Sequence, residues 1–460
     1  MAGIGFVLRR VVTESSSVGA VKGYLAAAIV AAGPWLLSVA TMATLSVISS
    51  LTLGADDQNV LFGSILYVYA FSLIGIGPVQ MVITRYVADT VYLEQRQILG
   101  SACVTVVALT LAVLYLPAAA SILAISGLPL PFRLAMLALF VGSAGTWLAM
   151  IFLSAAKNYG FIVLAFTAGY GVGLLAALLA GPRYGPSGFL AGFTAGQMVV
   201  FGILVAGALR EFDPPAGWRL DAFGYVRKYP SLLLVGLGYN VGIWVDKLVF
   251  WYAPTGITLM GPMHAYPPYD RAMFLSSLAI VPALTVFVLR VETDFYVTYK
   301  TFFDGIEAKA TLATLRRARE GMQKSLRSGF VLLLKVQTTT VLISLLLASH
   351  IAALGGLEPG QLGLLPVGLL ANSTEVVLLV SLLGLLYFDQ RRAAALVACS
   401  FLIGNVLLTL LTIRLGEGWY GLGYLGASLI SLALAQSLLW RHLADLEYHT
   451  FSGQPQGRAA

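Results

Sequence analysis

The chain has 460 residues, of which 58% are apolar and only 11% are charged, whereas soluble domains carry a charge at about a quarter of their positions. This composition, with a mean hydropathy of +0.86, excludes an ordinary soluble enzyme and is typical of a protein with about twelve membrane spans of about 20 residues each. The net charge of +7 is typical of a protein that binds nucleic acid or of one that lies against a cytoplasmic membrane surface. The distribution of the basic residues along the chain decides between these two explanations.

Twelve stretches are apolar over enough residues to cross a bilayer about 30 Å thick. They predict an all-α membrane protein with twelve transmembrane helices. Residues 1–20 precede the first span, contain Arg9 and Arg10, and predict a cytoplasmic interfacial segment. In chain order the predicted spans are Val21 to Leu53, Val60 to Thr84, Ile98 to Ile125, Pro131 to Leu153, Phe161 to Ala180, Ser187 to Ala208, Tyr229 to Tyr252, Ala272 to Arg290, Phe330 to Ala353, Leu362 to Tyr387, Ala393 to Ile413 and Tyr420 to Trp440.

The basic residues indicate the orientation of these spans. Most of the 28 Lys and Arg residues fall in the loops on the side of the two termini. The opposite side receives Arg133, Arg183, Arg271 and Arg414. Because the loops rich in Lys and Arg are cytoplasmic, both termini are predicted to be cytoplasmic. The net charge is then explained by topology, and no nucleic acid is expected as a partner.

Two short patterns recur and indicate an internal repeat. In the first, an Arg followed four residues later by an Asp leaves the membrane on the cytoplasmic side. Its two copies are Arg85 with Asp89 after the second span and Arg290 with Asp294 after the eighth. In the second pattern, Tyr-Gly opens the sixth span at Tyr184 and the twelfth at Tyr420. Chance recurrence of words in an apolar chain is the alternative explanation.

The repeat predicts two six-helix lobes that start on the same side of the membrane, so that the repeat axis runs along the membrane normal. The N-lobe is expected at 21–210, a cytoplasmic linker at 211–228, the C-lobe at 229–442 and a cytoplasmic tail at 443–460. A cytoplasmic insertion at 296–329 accounts for the different spacing of the two patterns. In a bundle of this kind the transport pathway is expected between the lobes, near mid-membrane.

Ionisable residues inside spans are rare because each costs about 2.5 to 3.5 kcal/mol at a helix centre. Asp246 and Lys247 occur together in the seventh span, among Tyr239, Asn240 and Trp244. Neighbours on a helix point about 100° apart, so one of the pair is expected to face the pathway while the other pairs elsewhere. Aromatic faces beside polar groups suit a sugar. An aromatic belt with a structural ion pair is the alternative.

Glu375 lies near the middle of the tenth span, with Asn372 one turn earlier on the same face. Glu375 is interpreted either as a site for a coupling proton or cation or as the partner of Lys247. A structural pair is again the alternative. Asn405, Gln80 and Gln197 are either lining of a hydrophilic path or hydrogen-bonding contacts between helices.

The cytoplasmic insertion reads as a basic amphipathic helix. Phe302, Leu315 and Leu326 recur at roughly helical spacing with further apolar residues. The basic residues opposite them include Arg316, Arg317, Arg319 and Lys324. This surface is expected either to rest on anionic lipid or to dock a cytosolic partner.

Motifs of catalysis or cofactor binding are not found. The sequence has no P-loop, no HExxH, no GxSxG and no aspartate-rich sugar-nucleotide motif, so we predict no enzyme activity and no cofactor. Two cysteines, Cys103 and Cys399, and four scattered histidines lack the spacing of a metal site. Any transport must therefore draw its energy from a gradient or from a partner's reaction.

Several short segments of the sequence together resemble those of a known family. They are the opening Met1 to Phe6, Leu8-Arg9-Arg10, Gly33-Pro34-Trp35 of the first span, and Trp244 to Lys247 with Phe250-Trp251. On these residues the chain resembles the PelG family, the membrane subunits of the Pel exopolysaccharide machinery. Val7 stands where that family often has an acidic residue, so no role is transferred to this position.

The resemblance implies a twelve-helix fold of the MOP superfamily, which contains MATE multidrug exporters and lipid-linked oligosaccharide flippases. It also implies partners in the bacterial inner membrane. These are a cytosolic glycosyltransferase like PelF, which polymerises N-acetylgalactosamine from a UDP-sugar, a cyclic-di-GMP receptor like PelD and a scaffold like PelE.

The principal hypothesis is a subunit that passes a growing polysaccharide outward through a cleft lined by spans 1, 2, 7 and 8. Asn240, Trp244 and Asp246 are expected to contact sugar, and Lys247 with Glu375 to hold the lobes together or gate them. One rival is an ion-coupled antiporter or flippase for lipid-linked sugars or small molecules. Another is a scaffold that anchors the glycosyltransferase without transporting anything.

Overall fold

The structure is a computed structural model that describes residues 17–357 and 361–452, with side chains from residue 32 onward except at 289–292 and 354. Three parts of the predictions therefore lie outside the described residues. They are most of the interfacial segment 1–20, the opening segments that carry the family resemblance, and the last residues of the tail. The side chain of Arg290 also lies outside them.

Helices make up almost all of the described chain. The first part contains α1 (Ser17–Ser50), α2 (Ala55–Tyr92), α3 (Leu99–Leu123), α4 (Leu130–Ala155), α5 (Tyr159–Tyr184), α6 (Pro186–Glu211), α7 (Asp221–Lys228), α8 (Pro230–Gly242), α9 (Val245–Trp251) and a hairpin of β1 (Ile257–Met260) and β2 (Met263–Ala265). The rest contains α10 (Pro267–Ser277), α11 (Val281–Val286), α12 (Tyr296–Glu307), α13 (Leu312–Leu346), α14 (Ala348–Leu354), α15 (Leu364–Tyr387), α16 (Arg391–Leu415), α17 (Leu422–Ala444) and α18 (Leu446–Ser452).

The predicted all-α membrane fold is confirmed. Among the described residues, ten helices are long and apolar enough to cross a membrane, and α8 with α9 makes an eleventh if the two count as one span bent by 45°. This number is consistent with the approximate count of twelve. The predicted eighth span, Ala272 to Arg290, is not one regular helix. A 3-10 turn follows α10, Pro282 lies in the first turn of α11, and the π-helical stretch Phe287–Phe295 continues this helix.

The chain forms two compact units, one covering Ala32–Asp270 and the other running from Arg271 onward. The first unit contains α8 and α9, which the sequence assigned to the C-lobe. Within this unit α8 lies against α2, where the glycine backbones at Gly77 and Gly236 come close together. The limits of the two six-helix lobes remain a prediction. The lobes are defined by a repeat in the sequence, whereas the compact units are defined by contacts between residues, so the units do not test the limits of the lobes.

The two Tyr-Gly segments of the repeat lie at similar positions relative to their helices. Gly185 adopts φ +60° and ψ −142° at the turn between α5 and α6, a conformation that only glycine tolerates readily. Gly421 adopts φ +84° at the residue that begins α17. Both glycines thus start a span with a backbone that side chains disfavour, which is what two copies of one motif would do.

Candidate functional site

The seventh span is broken next to its charged residues. Helix α8 ends at Gly242 and α9 begins at Val245, with a bend of 45° between their axes. A break inside a membrane leaves backbone carbonyls without their helical partners unless other donors reach them. Lys247 is such a donor, because its Nζ lies 3.1 Å from the carbonyl oxygen of Ile243. The ammonium group therefore stabilises the broken geometry of its own span.

Asp246 and Lys247 form an ion pair with each other. The Asp246 side chain is fully buried, that of Lys247 is 16% exposed, and Nζ lies 3.3 Å from each carboxylate oxygen. Tyr269 donates a further hydrogen bond of 2.7 Å to Oδ2 of Asp246. The expectation that the two neighbours point apart is wrong here. At the first turn of α9 the long lysine chain folds back toward the break and reaches the adjacent carboxylate.

Trp244 lies at the break itself, as the residue before α9. Its ring faces the Lys247 ammonium at 5.7 Å, which is a cation–π distance. Its indole Nε1 is buried and has no hydrogen-bond partner among the described residues. Leaving such a donor unsatisfied costs about 1–3 kcal/mol, so the site favours a molecule that offers an acceptor to Trp244.

Asp270 is a second carboxylate in the first unit, partly buried, and sequence reasoning missed it. Trp251 donates its indole N–H to both carboxylate oxygens, at 3.0 and 2.9 Å, and the backbone N–H of Tyr266 donates at 3.3 Å. In the sequence, Asp270 stands two positions before the predicted start of the eighth span. This position indicates a loop residue, and nothing else in the sequence points to it. The contacts with Trp251 and with the backbone of Tyr266, which follows the hairpin, partly enclose this residue.

Burial raises the pKa of Asp270 to about 7. The Trp251 N–H, the Lys247 charge and the Tyr266 N–H lower the pKa, whereas the neighbouring charge of Asp246 raises it. These two hydrogen bonds and one nearby positive charge do not overcome the removal of the carboxylate from water. Asp270 therefore changes protonation close to neutral pH.

An aromatic stack joins α2 to this cluster. The rings of Tyr67 and Trp251 are stacked with centroids 4.5 Å apart. The Tyr67 hydroxyl donates to the carbonyl of His264 at 2.8 Å and accepts from the backbone N–H of His264 at 2.9 Å. Phe250 packs on Tyr269 with ring centroids 4.2 Å apart. The aromatic residues after the break thus position both carboxylates.

Asn240 lies one turn before the break, on α8. It is buried, and its Nδ2 donates to the carbonyl of Gly236 at 2.9 Å. A side chain at Gly77 would collide with it, so α2 and α8 approach closely at this level. Asn240 is therefore near Trp244 along the chain, but its amide is used within its own helix. Its predicted contact with sugar remains a prediction.

The other two residues of the predicted path, Asn372 and Glu375, lie on α15 in the second unit. Both are buried, with 7% and 5% exposure. Asn372 donates to the Ser276 hydroxyl at 2.7 Å and to the carbonyl of Gly368 at 3.0 Å. These bonds join α10 to α15. The pairing of Lys247 with Glu375 stays a prediction.

A neutral polar network lies among the helices of the first unit. The Gln197 amide donates to the Thr146 hydroxyl at 2.9 Å, and its oxygen accepts from Tyr69 and Tyr170 at 3.3 and 3.4 Å. Ser38 and Tyr170 share a further bond of 2.7 Å. Of the two interpretations of Gln197, contact between helices is the one that the hydrogen bonds support.

The repeat charges, predicted to be cytoplasmic, are described in one copy. Arg85 Nε lies 2.9 Å from Asp89 Oδ1, one turn apart on α2, and the guanidinium also lies over the ring of Tyr229 at 5.5 Å. In the second copy Asp294 falls in the π-helical stretch, and the Arg290 side chain lies outside the described residues.

The predicted docking residues divide into two kinds. Arg319 donates to the carbonyl of Ala444 at 3.0 Å and lies 3.5 Å from Glu447, and Arg316 lies 3.8 Å from the same carboxylate. These contacts hold α13 against the C-terminal end of α17. Arg317 and Lys324 are exposed on α13. The apolar stripe of the insertion is buried at Phe302, Leu315 and Leu326, and residues 312–329 continue directly into the next span as α13.

Comparison with known proteins identifies relatives of the sequence and of the fold. The family model described as "PelG: Putative exopolysaccharide Exporter (EPS-E)" matches residues 1–451. No curated protein matches the chain.

Solved structures of MOP superfamily transporters share the fold. An inward-facing multidrug resistance MATE family transporter is 13% identical with a TM-score of 0.62, and the match covers 91% of this chain and 99% of that one. A MOP superfamily transporter from Pyrococcus furiosus is 14% identical with a TM-score of 0.56 over 97% and 99% of the two chains. A mutant of the Vibrio cholerae MATE transporter VcmN is 13% identical with a TM-score of 0.58 over 91% and 98%. At such identities the likeness concerns the fold alone.

Proposed function

Because the chain belongs to the PelG family of exopolysaccharide exporters, we propose that it carries a growing polysaccharide of the Pel type, rich in N-acetylgalactosamine, across the bacterial inner membrane. The family and the fold are those of a multi-pass transporter. Both termini are proposed to be cytoplasmic, because the loops on their side hold most of the Lys and Arg residues.

The observation that supports sugar binding best is the break in the seventh span. It combines an aromatic face, a buried N–H donor on Trp244 without a partner among the described residues, and the charged pair Asp246–Lys247. A sugar stacks its C–H faces on aromatic rings and offers hydroxyl oxygens to such donors. We therefore assign a contact with the polymer inside the membrane to Trp244.

The energy for export is proposed to come from synthesis. A cytosolic glycosyltransferase like PelF would add sugars at one end and push the chain through, with membrane partners like PelD and PelE beside it. A nascent chain needs a conduit with weak and repeated contacts, because tight binding at one place would stop its movement. One indole donor beside an ion pair that is already satisfied within the protein fits this requirement.

A second candidate function is ion-coupled transport of lipid-linked sugars or small molecules. The observation that favours it is Asp270, whose pKa of about 7 allows it to gain and lose a proton at the pH of the cell. In that mechanism the proton gradient, and not polymer synthesis, would drive the export.

Reconstitution of the subunit with its synthase partners in inverted vesicles tests both functions. We expect labelled polymer to accumulate inside vesicles only when this subunit is present, and to do so after ionophores have collapsed the gradients. Loss of accumulation with ionophore, while synthesis continues, would favour ion coupling. Equal accumulation without the subunit would leave it only a scaffold.

The role of Trp244 is tested in the same vesicles with Trp244→Phe, which keeps an aromatic face and removes the N–H. Export is expected to fall while polymer synthesis is unchanged. Trp218→Phe is the matched control, because Trp218 is 67% exposed in a loop and its replacement should leave export as it is. Export by Trp244→Phe equal to wild type would contradict the assignment.

A further inference from the structure

A groove runs along α13 in the second unit, on the side that faces α17. Its volume is about 830 Å³, and Lys324, Arg327, Phe330 and Trp440 are among the residues that line it. A second groove of about 540 Å³ continues along the same helix and shares Val331 and Leu334 with the first. Together they form one continuous furrow, which we call the α13 groove.

The chemistry of the α13 groove changes along its length. Charged side chains lie at the end nearer the start of α13, at Lys324 and Arg327, and apolar side chains follow at Phe330, Val331 and Leu334. Lys335, Thr338 and Thr339 line the far end. From Lys324 to Leu334 the helix rises by about 15 Å, which is about the depth of one leaflet of the bilayer. Val331 and Leu334 are 44% and 47% exposed on a helix apolar enough to span a membrane.

The two cations are available for a ligand. Among the described residues no carboxylate lies within 4 Å of the nitrogens of Lys324 or Arg327, and both residues are exposed. Arg319, one turn before Lys324 on the same helix, is by contrast held by Glu447 and by the carbonyl of Ala444. Glu320 contributes one carboxylate at the edge, so positive charge is in excess.

The polar groups of the opposite wall are already used. Trp440 donates its indole N–H to the Gln436 amide oxygen at 2.8 Å, and Gln436 donates to the Ser381 hydroxyl at 2.8 Å. These bonds stabilise the wall and leave the cations as the recognition groups. A ligand that fits the groove therefore has an anionic head and a long apolar tail.

We propose that the α13 groove binds one anionic phospholipid of the cytoplasmic leaflet, with its phosphate at Lys324 and Arg327 and an acyl chain along Phe330, Val331 and Leu334. Basic pockets between membrane helices on the cytoplasmic side recognise anionic head groups in this way. The proposal goes beyond the export of polymer. The sequence left anionic lipid and a cytosolic partner open as alternatives for the surface that includes Lys324, and the proposal assigns Lys324 the lipid.

The test measures lipid binding to the purified full chain in nanodiscs or by native mass spectrometry after titration with phosphatidylglycerol or phosphatidylcholine. Wild type is expected to prefer phosphatidylglycerol by about thirtyfold, since each of the two basic residues near the surface is worth about 1 kcal/mol. The double variant Lys324→Gln with Arg327→Gln is expected to lose this preference.

The matched control is Lys300→Gln with Arg317→Gln, which removes the same charge from exposed positions outside the groove. It should keep the preference, and an equal loss there would reduce the effect to bulk charge and overturn the proposal. Val331→Trp should fill the tail end and weaken phosphatidylglycerol binding while leaving both cations in place. Full competition by glycerol phosphate, which has no acyl chain, would also overturn the proposal, as would an unchanged preference in the first double variant.

Discussion

At the scale of single residues, the Lys247 ammonium satisfies two groups at once. It neutralises the fully buried carboxylate of Asp246 and donates to the Ile243 carbonyl that the helix break exposes. Removing one partner of a buried ion pair leaves an uncompensated charge, which is strongly unfavourable. The stability of the broken span therefore depends on this side chain.

Lys247→Met is expected to lower the free energy of unfolding by about 3–5 kcal/mol, because Asp246 remains buried without its cation. Thermal unfolding in nanodiscs measures the change. The double variant Lys247→Met with Asp246→Asn should recover part of the loss, and Lys300→Met, at an exposed position, should be neutral. A single variant as stable as wild type would show that the pair does not stabilise the break.

Asp270 makes stability depend on pH. Its pKa is about 7 in the folded protein and 3.8 for an ordinary Asp, so between these values the folded state holds a proton that the unfolded chain has released. Stability is therefore expected to decrease as pH rises from about 4 to about 7, and to level off above. Unfolding temperatures of wild type and Asp270→Asn across this range measure the effect.

The Asp270→Asn variant should lose most of this pH dependence, whereas Glu320→Gln, at an exposed position on α13, should keep it. Identical pH profiles for wild type and Asp270→Asn would mean that another group is responsible.

At the scale of helices, the boundaries between spans depend on backbone geometry as much as on hydropathy. Gly185 separates α5 from α6 with a positive φ, and nothing lies within 4 Å of the position that a β-carbon would take there. Strain alone, without any clash, would therefore oppose a side chain at this turn. Gly202 in the middle of α6 also has open space around it but has no positive φ.

This pair of glycines gives a matched test of the turn. Gly185→Ala is expected to lower the free energy of unfolding by about 1–3 kcal/mol through backbone strain. Gly202→Ala is expected to raise it by up to about 1 kcal/mol, because alanine is the better helix former. Thermal unfolding distinguishes the two. Equal effects of both substitutions would show that the turn does not require glycine.

At the scale of the whole molecule, the source of energy distinguishes the two proposed functions. The chain belongs to an exporter family, and its fold is shared by MATE transporters. Synthesis-driven export does not require a coupling carboxylate, whereas ion-coupled export does. Glu375 is the buried carboxylate of the second unit that the sequence singled out for this role.

Glu375→Gln is therefore expected to export polymer at the wild-type rate under the proposed function. Secreted and cell-retained polymer, measured together, separate export from synthesis. Thr374→Val, at the half-buried neighbouring position, is the control for effects of the helix itself. Loss of export with continued synthesis in Glu375→Gln alone would support ion coupling through this residue.

The sequence by itself determined that this protein is a bundle of apolar helices in a membrane, because hydropathy over 20 residues is a local property that needs no knowledge of contacts. It also identified Trp244, Asp246 and Lys247, since charges inside an apolar run are conspicuous. Only the tertiary structure decided that Asp246 and Lys247 pair with each other, because the pairing depends on the long lysine side chain folding back toward the helix break. The environment of Asp270 was likewise decided only by the tertiary structure. Its partial enclosure comes from contacts that include a tryptophan nineteen residues away along the chain, and such contacts leave no periodic signal in the sequence.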